Sequence, residues 1–276
     1  MKTLYVLTEA LFHTAYLVDK ISKNKEFDNI VFLVRDNNKL DKEALTSLHK
    51  KYEGNSDLSI EHINEFDKAY GGLSLSEIDM IKRFGVPSTS AIGMDNCIVL
   101  TSFNSDTIKQ MVSADKTFKC AAIFLDCILD DWWIDCFEQR IVNAHSAVLP
   151  HARGMFAIEQ YLICASPADL EEAAGATIHY VNSGIDKGNI IRTKKLENIW
   201  ELESVWSIKA DSYMTAFSLI EEYTSQRDCF SLSDSTPQTH FGPLFLEKNF
   251  TKEKRILAQE MFSEMRESLG VCNGAA

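Results

Sequence analysis

The stretch Ile141-Val142-Asn143-Ala144-His145-Ser146-Ala147-Val148-Leu149-Pro150-His151-Ala152-Arg153-Gly154 decides how the chain is read. It follows an apolar run of buried-strand length, Phe118 to Leu125, with a short helical piece from Asp131 to Phe137 between them. Ile141 to His145 reads as a second short strand. Side chains two apart on a strand share a face, so Asn143 and His145 project side by side from a strand end. Pro150 and Arg153-Gly154 stop the segment and turn the chain into a helical run, Met155 to Ala165. An amide donor beside an imidazole can stabilise a developing oxyanion and move a proton. Alone the tripeptide carries little, because two polar residues at a strand end are more often simply satisfied there.

The segment from Gly175 to Lys195 changes the weighting. Gly175 to Val181 reads as a strand, Asn182-Ser183-Gly184-Ile185-Asp186-Lys187-Gly188 as a loop, and Asn189 to Lys195 as a further strand. A loop carboxylate between two strands can orient and charge a histidine. The order of these elements, N-x-H, then L-P-x-x-R-G, then G-x-T-I-H-x-V-x-x-x-x-D-x-G, resembles the 10-formyltetrahydrofolate-dependent formyltransferases. The resemblance spans Ala121 to Ile191. It implies a Rossmann-like, mostly parallel α/β sheet flanked by helices, 10-formyltetrahydrofolate as cosubstrate, and Asn143, His145 and Asp186 as the catalytic residues. It further implies that the folate lies against Phe124, Leu125, Asp126, Cys127, Ile128 and Leu129, with Val181, Asn182 and Ile185 on the opposite wall. Plain core packing is an equally good account of each apolar side chain there, and Asp126 departs from the small residue the family pattern leads one to expect.

The expected reaction is acyl transfer to a primary amine or hydroxylamine of a small molecule. Asn143 would donate to the formyl oxygen. His145, kept protonated by Asp186, would donate a second hydrogen bond and relay a proton. Ser146 would touch substrate or satisfy a turn, Arg153 would serve the loop-to-helix junction, and His179 would be structural. The acceptor is expected to be an ornithine-like hydroxylamine, as in siderophore assembly, or an amino-sugar nucleotide, with a slight tilt to the amino acid. A formyltetrahydrofolate hydrolase would keep the same site and use water as acceptor. A folate-binding relative without activity is disfavoured, because binding alone does not need Asn143, His145 and Asp186 together. Cys127 as a thiol nucleophile is a minor alternative that its apolar neighbours disfavour.

Composition bounds the rest. The length, 276 residues, suits one large domain or a domain with an appendage, and the 45% hydrophobic content is that of a globular chain. The seven cysteines form no C-x-x-C pair and no zinc-finger spacing, so a reduced, cytoplasmic protein without a metal site is expected. The net charge of -12 disfavours nucleic acid, whose binding relies on basic residues neutralising phosphates. No run approaches membrane-spanning length, and Glu9 and His13 interrupt the apolar N-terminal stretch, against a signal peptide. Oligomeric state is left open.

Along the chain, Thr3 to Leu7 reads as a strand, Glu9 to Ile21 as a helix, Asn29 to Val34 as a strand and Asp41 to Tyr52 as a helix, a β-α-β start. The first turn, Thr8-Glu9-Ala10-Leu11, has no glycine, which argues against a dinucleotide cofactor and against the glycinamide ribonucleotide branch. Leu58 to Ile63 reads as a possible strand, and the region Asn64 to Asp95 as a substrate-side loop or, equally, a surface insertion, around a short helix, Leu75 to Phe84. Cys97 to Thr101 reads as a strand, followed by a helix that Ser105 caps. Beyond Lys195 the chain turns helical, Leu202 to Tyr223 and then a helix from Thr251 presenting Ile256, Leu257, Met261, Phe262 and Met265 on one face, with Val271 to Ala276 frayed. No string of strands offers the RNA-binding barrel of the methionyl-tRNA branch. The expected division is a catalytic domain, 1–200, and a helical extension, 201–276.

Overall fold

The computed structural model of the chain describes residues 1–271; most of the frayed end expected from Val271 onward lies outside the described residues. The chain begins β1 (Lys2–Glu9), α1 (Thr14–Ile21), β2 (Asn29–Arg35), α2 (Lys42–Tyr52), α3 (Ile60–Tyr70), α4 (Leu75–Phe84), β3 (Cys97–Leu100) and α5 (Asp106–Ala114). It continues β4 (Phe118–Phe124), α6 (Asp131–Cys136), β5 (Ile141–His145), β6 (Arg153–Gly154), α7 (Ala157–Leu162), α8 (Pro167–Ala173), β7 (Gly175–Tyr180) and β8 (Ile190–Lys195). The last elements are α9 (Val205–Thr224), β9 (Leu244–Phe245) and α10 (Lys252–Ser268).

Seven strands form one sheet in the order β3-β2-β1-β4-β5-β7-β8. The first five are mutually parallel, and β7 and β8 close the sheet by antiparallel pairing. The expected α/β architecture is therefore present. Strand β1 shows why both faces must be covered. Its Leu4 and Val6 enter one core with β2, α1 and α9, while Tyr5 and Leu7 enter another with α5 and α6. Such near-continuous apolar strands are the mark of a parallel sheet buried on both sides. The chain leaves β1 toward β2 and β3, then returns to place β4 on the other flank of β1. In open α/β sheets a ligand crevice forms at the carboxyl ends of the strands where the order reverses.

Several expected boundaries move. The apparent strand at Leu58 to Ile63 is the start of α3, capped by Ser59, whose side chain accepts from the His62 N–H. Six residues of mixed apolarity do not separate a strand from a helix, and the cap decides. The expected loop around Leu75–Phe84 is thus largely helical, with Gly71 ending α3 in the left-handed conformation. The first helix starts later than expected, at Thr14, because β1 runs on to Glu9 and Thr14 Oγ1 donates to the Glu9 carbonyl at 2.6 Å. The run after Gly154 is helical only over Ala157–Leu162. In α10, Ala258 and Phe262 are the buried residues and Ile256 and Leu257 are exposed, so its inner face is narrower than the apolar pattern suggests.

The core runs across the expected boundary at 200/201. Ala216, Phe217 and Ile220 of α9 share one cluster with Leu4, Phe32 and Val142 of the sheet, whereas α10 packs with α7 and α8 through Phe262, Ile158 and Leu170.

Candidate active site

The antiparallel pairing of β5 with β7 builds the site. Its register sets Asn143 opposite His179 and His145 opposite Thr177, so all four side chains lie on one face. Asn143 and His145 sit together as their spacing requires. The neighbour that sequence reading missed is His179, which the register sets against Asn143 and within 3.3 Å of Asp186. Alternation groups it with Thr177 and Val181, but only the long-range register brings it against Asn143, and no local signal contains that register.

Asp186 folds back from the β7–β8 loop onto this face. Its Oδ1 lies 3.3 Å from His179 Nε2 and 3.4 Å from Asn143 Nδ2. Its Oδ2 accepts from the Gly154 N–H at 2.7 Å and lies 3.7 Å from His145 Nδ1. The loop that delivers it is held by backbone constraints. Asp186 itself has φ of 51°, and a Cβ at Gly188 would stand 1.6 Å from the Tyr180 carbonyl oxygen, so only glycine permits the close return. Gln238 clamps the loop from outside, its Nε2 donating to the carbonyls of Asp186 and Gly188 at 2.9 and 2.8 Å. Arg153 donates to the carbonyls of Ile185 and Gly242 and so ties the same loop to the C-terminal segment.

The hydrogen bonds fix ring tautomers. A carbonyl can only accept, so His145 Nε2, 3.0 Å from the Ala152 oxygen, carries a hydrogen and leaves Nδ1 toward Asp186. By the same logic His179 Nδ1 donates to the Tyr180 carbonyl at 2.9 Å, and its Nε2 can accept from Asn143 Nδ2 at 3.1 Å. Asp186 also can only accept, which turns the Asn143 amide nitrogen toward it.

The charge state differs from the expected one. Burial lowers the pKa of His145, and the Asp186 charge offsets that only in part; the Lys209 ammonium adds to the lowering. His145 is therefore neutral at rest, in contrast to the protonated ring anticipated from a neighbouring carboxylate. Burial taken alone would raise Asp186, but its neighbours His145 and His179 and the hydrogen bond from the Gly154 N–H hold its carboxyl well below the usual carboxylate range.

These groups open into a cavity of about 1070 Å³ at the carboxyl ends of β1, β4 and β5. All twelve residues singled out from the sequence line it: Phe124, Leu125, Asp126, Cys127, Ile128 and Leu129 on one wall, Val181, Asn182, Ile185 and Asp186 on another, and Asn143 and His145 between. Ile128 is 72% exposed and stands at the rim rather than in an apolar slot. Phe124 packs edge-on against Tyr213 and Phe217 of α9, so it serves the core as well as the cavity. Asp126 pairs with Arg35, which also holds Glu9 at 2.7 Å. Glu9, Asp126 and Cys127 bring possible metal-ligand atoms together, but the Arg35 guanidinium already supplies the cation there. Burial pushes the Cys127 thiol up to about 11, which removes it as a nucleophile at neutral pH.

A second wall was not foreseen. His13 pairs with Glu77 at 2.8 Å and stacks on Tyr213, with centroids 4.5 Å apart. Beside them Lys209 is buried, donating to Ser146 Oγ at 3.1 Å and lying 3.4 Å from Glu159. Ser146 is thus tied to a buried ammonium next to His145. In sequence, Lys209 is one polar residue in an apolar helix, and its partners are 50 and 63 residues away.

Comparisons with known proteins bear on the family and the fold. The formyl transferase family model matches residues 29–210. Among solved structures, the chain is similar to a sugar N-formyltransferase from Shewanella sp, at 14% identity with a TM-score of 0.56, over 95% of this chain and 88% of that one. It is similar to a 4-N formyltransferase from Francisella tularensis, at 13% identity with a TM-score of 0.53, over 95% and 87%. It is also similar to an N-formyltransferase from Helicobacter canadensis in complex with folinic acid and dTDP-3-aminofucose, at 13% identity with a TM-score of 0.51, over 96% and 81%. At such identities the likeness is one of fold; the family match, which covers well over half of the chain, carries more, and on it this chain belongs to the formyl transferase family.

Proposed function

We propose that the protein moves a formyl group from 10-formyltetrahydrofolate to the amino group of a small molecule, with an amino-sugar nucleotide as the first choice of acceptor. The observation that carries the reaction is the convergence of Asn143, His145, His179 and Asp186 on one buried face that opens into the cavity. The folate lies between the segment 124–129 and the loop 181–185. The acceptor amine approaches the formyl carbon beside His145. Charge develops on the formyl oxygen, and Asn143 donates to it. The neutral His145 takes the amine's proton at Nδ1, the imidazolium so formed is stabilised by Asp186 3.7 Å away, and as the formyl C–N10 bond breaks the proton passes to the departing N10 of tetrahydrofolate. Asp186 thus matters most after proton transfer, since in the resting site burial keeps the ring uncharged.

The choice of acceptor moves from the ornithine-like hydroxylamine to the amino sugar for two reasons. The cavity is large, and the Helicobacter neighbour of similar fold is described with an aminofucose nucleotide. The test is a panel of amino-sugar nucleotides, ornithine, hydroxyornithine and no acceptor, each with 10-formyltetrahydrofolate. Tetrahydrofolate is followed by absorbance and the product by mass. A formylated amino-sugar nucleotide is the expected product. Formyl transfer to hydroxyornithine alone would reverse the choice of acceptor, and formate release without acceptor would replace the transferase by a hydrolase.

A further inference from the structure

The cavity has two electrostatic ends. Glu9, Glu77 and Asp126 lie at the β1 side, where Arg35 and His13 partner them. The α9–α10 side is lined by Lys209, Lys248 and Arg255, with Glu247 as the carboxylate among them. In a chain of net charge -12 this is a concentration of positive charge in a place where solubility does not ask for it. Lys209 is spent on Ser146 and Glu159. The other two are not. Among the described residues, no hydrogen bond or ion pair engages the Arg255 guanidinium or the Lys248 ammonium.

Arg255 is nonetheless held in place. Its guanidinium carbon stands 4.8 Å from the Phe156 ring centroid and 5.0 Å from that of Phe250, and the two rings pack on each other. Stacking covers the faces of a guanidinium and leaves its in-plane N–H groups free, the fork that matches a carboxylate or phosphate. Phe156 also lines the cavity, one residue from the start of α7. Both Lys248 and Arg255 lie beyond residue 210, outside the stretch the family model matches.

From this the geometry points to an oxyanion-binding subsite at the cavity mouth, formed by Arg255 and Lys248, that receives a phosphate or carboxylate group of one of the two reactants. The inference rests on the formyl-transfer reading and deepens it. The oxyanion belongs either to a diphosphate on the acceptor or to a carboxylate of the folate's glutamyl tail. Arg255 and Lys248 are thus specificity determinants supplied by the C-terminal segment.

The test measures binding by calorimetry for the full chain and for the double variant Arg255→Met, Lys248→Met, in which unbranched side chains preserve the packing on Phe156 and Phe250. The probes are inorganic pyrophosphate, a nucleoside diphosphate (dTDP or UDP), and tetrahydrofolate as its mono- and triglutamate. The expected result is that the double variant loses about tenfold or more in affinity for at least one oxyanion probe, the size of one or more charge-assisted hydrogen bonds, and that added salt narrows the gap. Loss confined to dTDP or UDP and pyrophosphate assigns the oxyanion to the acceptor; loss confined to one or both of the folates assigns it to the folate. Arg255→Lys, which keeps the charge without the fork, is expected to fall between. If the double variant unfolds, the same comparison is made with Lys248→Met and Arg255→Lys singly. Equal affinities in parent and variants, or no binding of any oxyanion probe by the parent, overturns the subsite. Monoglutamyl tetrahydrofolate separates the two levels: its binding by the parent, with no effect of the variants on any probe, removes the subsite and keeps the formyl-transfer reading, while its failure to bind removes that reading as well.

Discussion

His145 is where neighbouring effects compete most directly. Its partner Asp186 favours the charged ring, yet burial dominates and the ring rests neutral. The sign of the pH dependence is set by that balance. A histidine whose folded pKa lies below its unfolded value of about 6.5 binds fewer protons when folded. Its contribution to stability is full above pH 6.5 and is lost as pH falls through the folded value. His49, buried and pulled down to about 4, acts in the same window, so the difference between the parent and His145→Gln isolates His145. We expect the parent to lose more stability than the variant between pH 6.5 and 5 in denaturant titrations, and equal slopes would refute the neutral resting state. For turnover, Asn143→Ala, His145→Ala and Asp186→Ala are each expected to cost on the order of 10²–10³ or more with the fold retained, as when an oxyanion donor is removed elsewhere. At this scale the pairing of Asn143 with His145 was legible from their spacing on one short strand, and Asp186 through the motif order that carries the family resemblance. His179 and Lys209 were not, because what makes them part of the site is a strand register and a helix docking that no short window contains.

Elements hold these residues through a few shared devices. Glu77 completes the cap of α4, accepting from the Ser74 N–H at 2.8 Å, and with its other oxygen holds His13 at 2.8 Å, so one carboxylate fastens α4 to the β1–α1 turn. Burial opposes its ionisation, but His13 and Ser74 win and bring it down to about 2. A carboxyl depressed in this way stabilises the fold above its unfolded value of about 4.3 and loses that contribution as pH falls toward 2. Glu77→Ala leaves His13 buried without its carboxylate and is expected to cost about 3–5 kcal/mol, read from denaturant midpoints. At the other end, Gln238→Ala releases two carbonyls of the Asp186 loop and is expected to lower turnover while folate binding is retained; an unchanged rate would show that the loop holds itself. The helix expected at Leu75–Phe84 is present with those bounds, and in the structure Ser74 and Glu77 fasten its start by a capping box. The start of α3 was misread because its first residues, Leu58 to Ile63, suit either a short strand or a helix, and Ser59 as a cap outweighed their apolarity.

The whole molecule joins a sheet legible from its strands to a C-terminal segment that was not. The β-α-β start and the apolar runs made the parallel sheet readable, since each strand must be buried on both faces. A helical pattern beyond Lys195 says nothing about where the helices dock. Helix α9 closes one face of the sheet, and residues 238–255 supply the loop clamp and the unpaired cations at the cavity mouth. A fragment ending at residue 200 would expose the face that Phe217 and Ile220 cover, and we expect it to be protease-sensitive and without a cooperative melting transition. A stable, folded 1–200 fragment would make the C-terminal part a true appendage. The central claim is that this cavity transfers a formyl group with Asn143, His145 and Asp186. Its most direct test is the rate of tetrahydrofolate formation from 10-formyltetrahydrofolate, with and without an amino-sugar nucleotide, for the parent and for Asp186→Ala at saturating folate. The account predicts acceptor-dependent formation by the parent and a loss of about 10² or more in the variant. A variant as fast as the parent, or a parent rate indifferent to the acceptor, would contradict it.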